Sequence, residues 1–275
     1  MSVPVRVPEV RARSSLRRVL TGLAAAVVAV VLGVAVFGPA LAADPELIVG
    51  LPYTGPSAAN PLGTDHSGRD VLDRVLAGGQ PLLLVPIVAT VLATLLGLVL
   101  GAVGGYFGGV ADAVVSRLDN LLLGLPPVLV LLVLLHGWGY GAATMTVVVV
   151  LTGTPFVSRV TRAETMRAVE DGYVVAAYAT GDSHLSVIVR EILPNIVRPV
   201  LADFGTRLAI AVTLTAAAGF LGFGSSGPNW GAMISQNVEG IRLTPWGVAV
   251  PAVLLGVLTV AANLGLDRVV GRVLR

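Results

Sequence analysis

The chain has 275 residues, of which 55% are hydrophobic and 12% charged, with 33 glycines, a net charge of +2 and a mean hydropathy of +0.87. A soluble domain carries about 25% charge and a disordered one combines low hydrophobicity with high charge, so both are excluded and the chain reads as an all-α polytopic membrane protein. There is no cysteine and all 18 basic residues are arginine, which excludes disulfides, thiolate chemistry and a P-loop, whose phosphates need a lysine; the scattered arginines are no nucleic-acid footprint.

Spans of about 20 apolar residues cross a bilayer, and six candidates follow in chain order. Residues 1–18 form a tail and 19–43 the first transmembrane helix. Residues 44–80 form an external loop with a short helix, N-capped by Asp65 or Ser67 and running through Leu76. Its Arg69, Asp70, Asp73 and Arg74 make a solvated face, with Asp70 and Arg74 paired at i, i+4. Residues 81–266 are a five-helix core. Its spans are Pro81–Tyr106, Leu118–Leu135, Ala142–Val157, Pro199–Phe223 and Trp246–Leu266, and a cytoplasmic segment, 159–198, joins the fourth to the fifth. Residues 267–275 are a second tail. Gly97, Gly101 and Gly105 form a small-residue stripe for close helix packing. Trp230 and Trp246 suit an interfacial belt.

Arginine placement sets the orientation. With the N-terminus inside, the cytoplasmic segments hold 14 arginines and the external ones 3, so the positive-inside rule puts both termini in the cytoplasm. Arg17-Arg18, the apolar run and Ala40-Leu41-Ala42 also resemble a secretory signal. The run of about 24 residues exceeds the 7–15 of such a signal, which favours a retained helix.

The span centres carry no charge on this reading. Asp119, Asp203, Arg207 and Asp267 fall near ends, and Asp203 and Arg207 are spaced to pair at the interface. That argues against an ion-coupled secondary carrier, which needs charges or broken helices at midplane. Gly224-Ser225-Ser226-Gly227 fits an intramembrane serine protease pattern, but no histidine in the last span could act as base, and a turn is the better reading. His66 and His136 fall outside and His184 inside, so they form no metal site.

Residues 159–198 are too long for a turn. Glu164–Val169 continues the fourth span, and Tyr173–Thr180 reads as a second helix. Gly181 sits where a left-handed cap would be. Asp182 or Ser183 then N-caps a further helix carrying Leu185, Ile188 and Ile192, which Pro194 ends. Two readings fit these residues: an amphipathic hairpin on the membrane surface, or a docking element for a cytoplasmic partner.

The segment resembles the EAA loop of binding-protein-dependent ABC importer permeases. Ala176-Ala177 lead to Gly181, and Leu193-Pro194 follow; Arg162-Ala163-Glu164 and Tyr173-Val174 are similar to the dipeptide/oligopeptide/nickel branch. Val175 replaces the family glutamate, and Glu191 stands where that branch has an apolar residue or histidine. Pro61–Asp65 with Gly68–Val71 and Arg74, Gly105–Gly109 with Asp112, Arg117 and Pro126-Pro127, and Phe220–Gly224 with Trp230–Met233 also resemble that branch in order. One family aspartate is Asn120 here. The resemblance implies the six-helix fold of a type I importer permease in the cell inner (plasma) membrane, with no catalysis and no cofactor on this chain. Implied partners are a second homologous permease, cytoplasmic ABC ATPases, an extracytoplasmic substrate-binding protein and the bilayer. The implied ATPase-coupling residues are Ala176, Ala177, Gly181, Asp182, Ser183, His184 and Leu185. The implied cargo is a peptide or related small solute, with nickel or a metal–metallophore complex as the alternative.

Overall fold

The computed structural model describes residues 9–224 and 227–273, so Ser225 and Ser226 of the glycine-serine turn lie outside the described residues. The described chain is helical, and its two β-bridges are isolated. Its helices are α1 (Glu9–Leu41), α2 (Val71–Ala77), α3 (Pro81–Phe107), α4 (Gly109–Leu123), α5 (Pro127–Trp138), α6 (Ala142–Val169), α7 (Gly172–Ala179), α8 (His184–Ser186), α9 (Leu193–Phe220), α10 (Trp230–Asn237) and α11 (Trp246–Val273). Five stretches among them are long and apolar enough to cross a membrane, and α4 with α5 makes a sixth if that bent pair is one span.

The expected third span, Leu118–Leu135, is not one helix. The chain turns by 82° between α4 and α5. Pro126 and Pro127 explain the break. Neither offers a backbone N–H to continue the helix, and each disfavours helical geometry in the residue before it. The fifth span also differs. Instead of starting at Pro199, α9 starts at Leu193 and holds both Pro194 and Pro199. Pro194 therefore does not end the preceding helix. It lies in the first turn of α9, where a missing N–H costs least, just after a π-helical turn over Val187–Ile192.

That longer α9 relocates Arg207, placed near the end of its span by the sequence reading. The helix has 28 residues, about 42 Å at 1.5 Å per residue, and Arg207 stands at its middle.

The glycine stripe of α3 packs on α6. A methyl group on Gly97 would meet Val157 Cβ at 2.5 Å, and one on Gly105 would meet the Arg162 carbonyl oxygen at 2.7 Å. One on Gly101 would strike the Ser158 carbonyl oxygen. Gly101→Ala should therefore destabilise the purified protein by about 1–3 kcal/mol, the usual cost of overpacking a close contact, read as a lowered melting temperature in detergent. Gly137→Ala, where a Cβ meets nothing within 4 Å, is the control.

The main core joins α1, α2, α3, α9, α10 and α11 through Val31, Ala35, Val75, Leu82, Val212, Trp230, Met233 and Leu258. Trp230 is fully buried and not in an interfacial belt. It seats against Gly78 and Gly79, and its indole N–H donates to the Val75 carbonyl at 2.7 Å. Trp246 is 42% exposed, as a belt residue would be.

Candidate functional site: two ends of one bundle and a cavity between them

At the N-terminal end of α3, the Gly-Thr-Asp and Gly-Arg-Asp motifs fold into one ion-paired loop. Asp70, not Asp65 or Ser67, caps α2, accepting from the Leu72 N–H at 2.6 Å and the Asp73 N–H at 3.1 Å. Asp65 organises the loop instead. Its Oδ1 accepts from the Ser67 N–H at 2.8 Å and the Arg69 N–H at 2.9 Å, and its Oδ2 pairs with the Arg74 guanidinium. The expected solvated face is thus partly internal: Asp70 and Arg74 are both buried, and Arg74 pairs with the buried Asp65 rather than with Asp70, whose carboxylate is taken up by the cap. Arg69 reaches Glu46 at 2.6 Å. The tight return at Gly68 needs its positive φ of 81°, and a side chain there would run into the Gly50 carbonyl. Helix α10 closes the unit: Asn237 Oδ1 accepts from the His66 N–H at 2.9 Å. Burial lowers the pKa of His66 below its ordinary value, against the opposite pull of Asp65.

At the other end of α3, α7 and α9 form a second unit. Gly181 has φ of 86°. The Asp182 N–H donates back to the Ala177 carbonyl at 3.1 Å, the six-to-one bond of a left-handed helix terminus. Ser183 then caps the next helix, its hydroxyl accepting from the Ser186 N–H at 3.3 Å. Beneath the turn, Ala168, Val174, Ala177, Val187, Ile192 and Ile196 form a small apolar core. His184 Nδ1 lies 2.8 Å from the Tyr106 hydroxyl, tying the unit to the last turn of α3. Of the residues singled out from the sequence, Ala176, Gly181, Asp182, Ser183, His184 and Leu185 are exposed together. Ala177 differs: it faces the small core and supports the turn. Val175 and Leu185 present apolar side chains at 57% and 71% exposure.

Polar clamps between α4 and α6 stiffen this end. Asp112 forks onto Arg162. Asp119 accepts from the Ser158 hydroxyl at 2.7 Å, and the Asn120 side-chain oxygen from Arg159 at 2.5 Å. The replacement of a family aspartate by Asn120 is therefore accommodated beside a carboxylate that faces a different partner.

Midway between the ends lies a cavity of about 110 Å³ bounded by α3, α5, α6 and α9. Its walls are mostly apolar, and Arg207 is the charged residue among them. The sequence spacing pairs Arg207 with Asp203, and the two side chains do meet, at 2.7 Å; the cavity beside them comes from the packing of four helices, which no span pattern shows. Among the described residues, no three His, Asp or Glu side chains gather as metal ligands would.

A bundle of five apolar spans plus a broken sixth, with ordered polar units at both ends and a cavity between, defines a multi-pass membrane protein. Residues 93–275 match the family described as binding-protein-dependent transport system inner membrane component, and the chain belongs to that family. It is 30% identical over 249 residues to a probable D,D-dipeptide transport system permease protein of Escherichia coli (strain K12), covering 89% of this chain and 84% of that one. It is 28% identical over 212 residues to a dipeptide transport system permease protein of Alkalihalophilus pseudofirmus (76% and 70% covered). It is 32% identical, with the same coverage, to a glutathione transport system permease protein of Shigella flexneri serotype 5b. The fold is shared with the inward-facing MetNI methionine ABC transporter, at a TM-score of 0.59 and 20% identity over 72% of this chain and 95% of that one. This chain is thus an inner-membrane permease subunit of an ABC importer, and it works with ATPase and binding-protein partners.

Proposed function

We propose that the chain forms half of the translocation pathway for short peptides or peptide-like solutes, with a similar but non-identical permease supplying the other half. Both termini and the Gly181 turn face the cytoplasm, and the Asp65–Trp230 unit faces outward, toward the binding protein. The supporting observation is the placement of two ordered units at opposite ends of α3, whose 27 residues span about 40 Å. The arginine asymmetry gives that axis its direction. The cargo class rests on relatives named for dipeptide and glutathione transport, which favours peptides over the nickel or metallophore alternative.

Coupling works by bias. The exposed turn at Val175, Ala176 and Gly181–Leu185 enters a cleft on the ATPase, and ATP-driven closure favours one arrangement of the bundle. A partner shifts such an equilibrium only by binding one state better than the other. The buried Ala177 and the Tyr106–His184 contact pass the displacement to α3 and α9. The reading is tested in proteoliposomes: uptake should require ATP, the ATPase subunits and the binding protein. Uptake by this chain alone at the rate of the full assembly would overturn it.

Asp182 stands one residue before the Ser183 cap, at the positive pole of the helical run that follows. Asp182→Arg should lower copurification of the ATPase several-fold with insertion unchanged. Undiminished recovery of the complex would count against the contact.

A further inference from the structure

We propose that Arg207 reads a carboxylate of the cargo inside the helix bundle; the proposal rests on the peptide-importer reading above. Charged side chains in a bilayer core are costly and face an interior or water-filled space with a function. Arg207 occupies the centre of α9 and lines the cavity side by side with Phe156 of α6. The guanidinium is fixed from two sides. Its Nε and Nη2 donate to Asp203 at 2.7 and 3.1 Å, and its carbon lies 4.3 Å above the Phe156 ring. Asp203 balances the charge at rest, and Phe156 adds a cation–π contact.

This arrangement leaves part of the fork for a ligand. The bonds to Asp203 use the Nε edge, while the Nη1 edge is outside that pairing, and the side chain keeps 17% exposure. A planar guanidinium edge matches a carboxylate with two parallel N–H bonds. A second observation marks the same wall. Thr90 is 1% exposed, lines the cavity, and its hydroxyl is buried without a partner. Thr152, the other threonine of the cavity wall, instead bonds back to its own helix at the Val148 carbonyl. A free hydroxyl across from a fixed cation suits a ligand that carries both an anionic end and an amide. A free peptide terminus has that chemistry.

The test uses the assembled permease–ATPase complex without the binding protein, titrated with dialanine and with dialanine amide by saturation-transfer NMR. Wild type should bind dialanine about tenfold more tightly than the amide, the discrimination expected of a charge-assisted bond. Arg207→Gln should make the two equal, and Arg207→Lys should fall between. Equal affinities in wild type, or no binding of either, overturn the proposal. If Arg207→Gln does not assemble, the exchange pair Asp203→Arg with Arg207→Asp keeps an ion pair while moving the cation. Restored discrimination in that double variant makes the pair structural only and overturns the proposal; lost discrimination supports it. ATP-driven uptake of dialanine by the wild-type assembly is scored separately. Its absence would overturn the importer reading itself, a result distinct from any of those on Arg207.

Discussion

Gly181→Pro is expected to lower ATP-driven uptake by at least about tenfold while leaving membrane insertion and recovery with the second permease intact. The native residue sits at φ of 86°, and proline fixes φ near −65°. It also disfavours the helical geometry of Thr180 before it. The Asp182-to-Ala177 bond would be lost, and α7 would no longer meet the Ser183-capped helix at its present angle. The damage stays local, because a Cβ at residue 181 meets nothing within 4 Å. A substitution series separates shape from bulk. Asparagine tolerates the left-handed region and should transport almost normally; alanine, at a cost of roughly 1–2 kcal/mol, should be intermediate. The rank Gly, Asn, Ala, Pro in uptake, with binding-protein-independent ATP hydrolysis little changed, is the expected result. A flat series, or normal transport by the proline variant, would remove Gly181 from the coupling path.

The sequence was most informative where a residue's role is set by its neighbours in the chain. The left-handed cap at Gly181 and the Ser183 cap are local geometry, and the small-residue stripe at Gly97, Gly101 and Gly105 is a local period; all three were legible. Residues whose role depends on distant partners were not. Asp70 and Arg74 look like a solvated pair until Asp65 takes Arg74 inside the loop, and Trp230 looks like a belt residue until Gly79 supplies a surface without a side chain. Prolines misled in both directions. Pro126-Pro127 break a span that hydropathy runs straight through, whereas Pro194 and Pro199 both lie within α9, Pro194 in its first turn. With α9 starting at Leu193, Arg207 stands at the middle of the helix instead of near its start, and it lines the cavity there.

Asp65→Ala should be the most destabilising single change outside the spans. Asp65 and Arg74 are both buried, and removing one partner of a buried ion pair costs about 3–5 kcal/mol because the other is left uncompensated. The two losses are unequal. After Arg74→Met, Asp65 still accepts the Ser67 and Arg69 N–H groups, and the Arg74 Nε, already buried without a partner, disappears. After Asp65→Ala, Arg74 keeps only Gln236 at 3.3 Å and the loop loses its organising acceptor. Melting temperature should therefore fall further for Asp65→Ala than for Arg74→Met. The double variant Asp65→Leu with Arg74→Met should recover part of the pair's cost, since an apolar replacement removes both charges; strictly additive losses would show that the pair is uncoupled. Because the loop holds Trp230 on Val75 and His66 on Asn237, its loosening should speed proteolysis within residues 44–70. It should also reduce stimulation of ATP hydrolysis by the loaded binding protein. Copurification of the ATPase, which depends on the Gly181 end about 40 Å away along α3, should survive, so that one substitution severs the outer input while the inner contact persists.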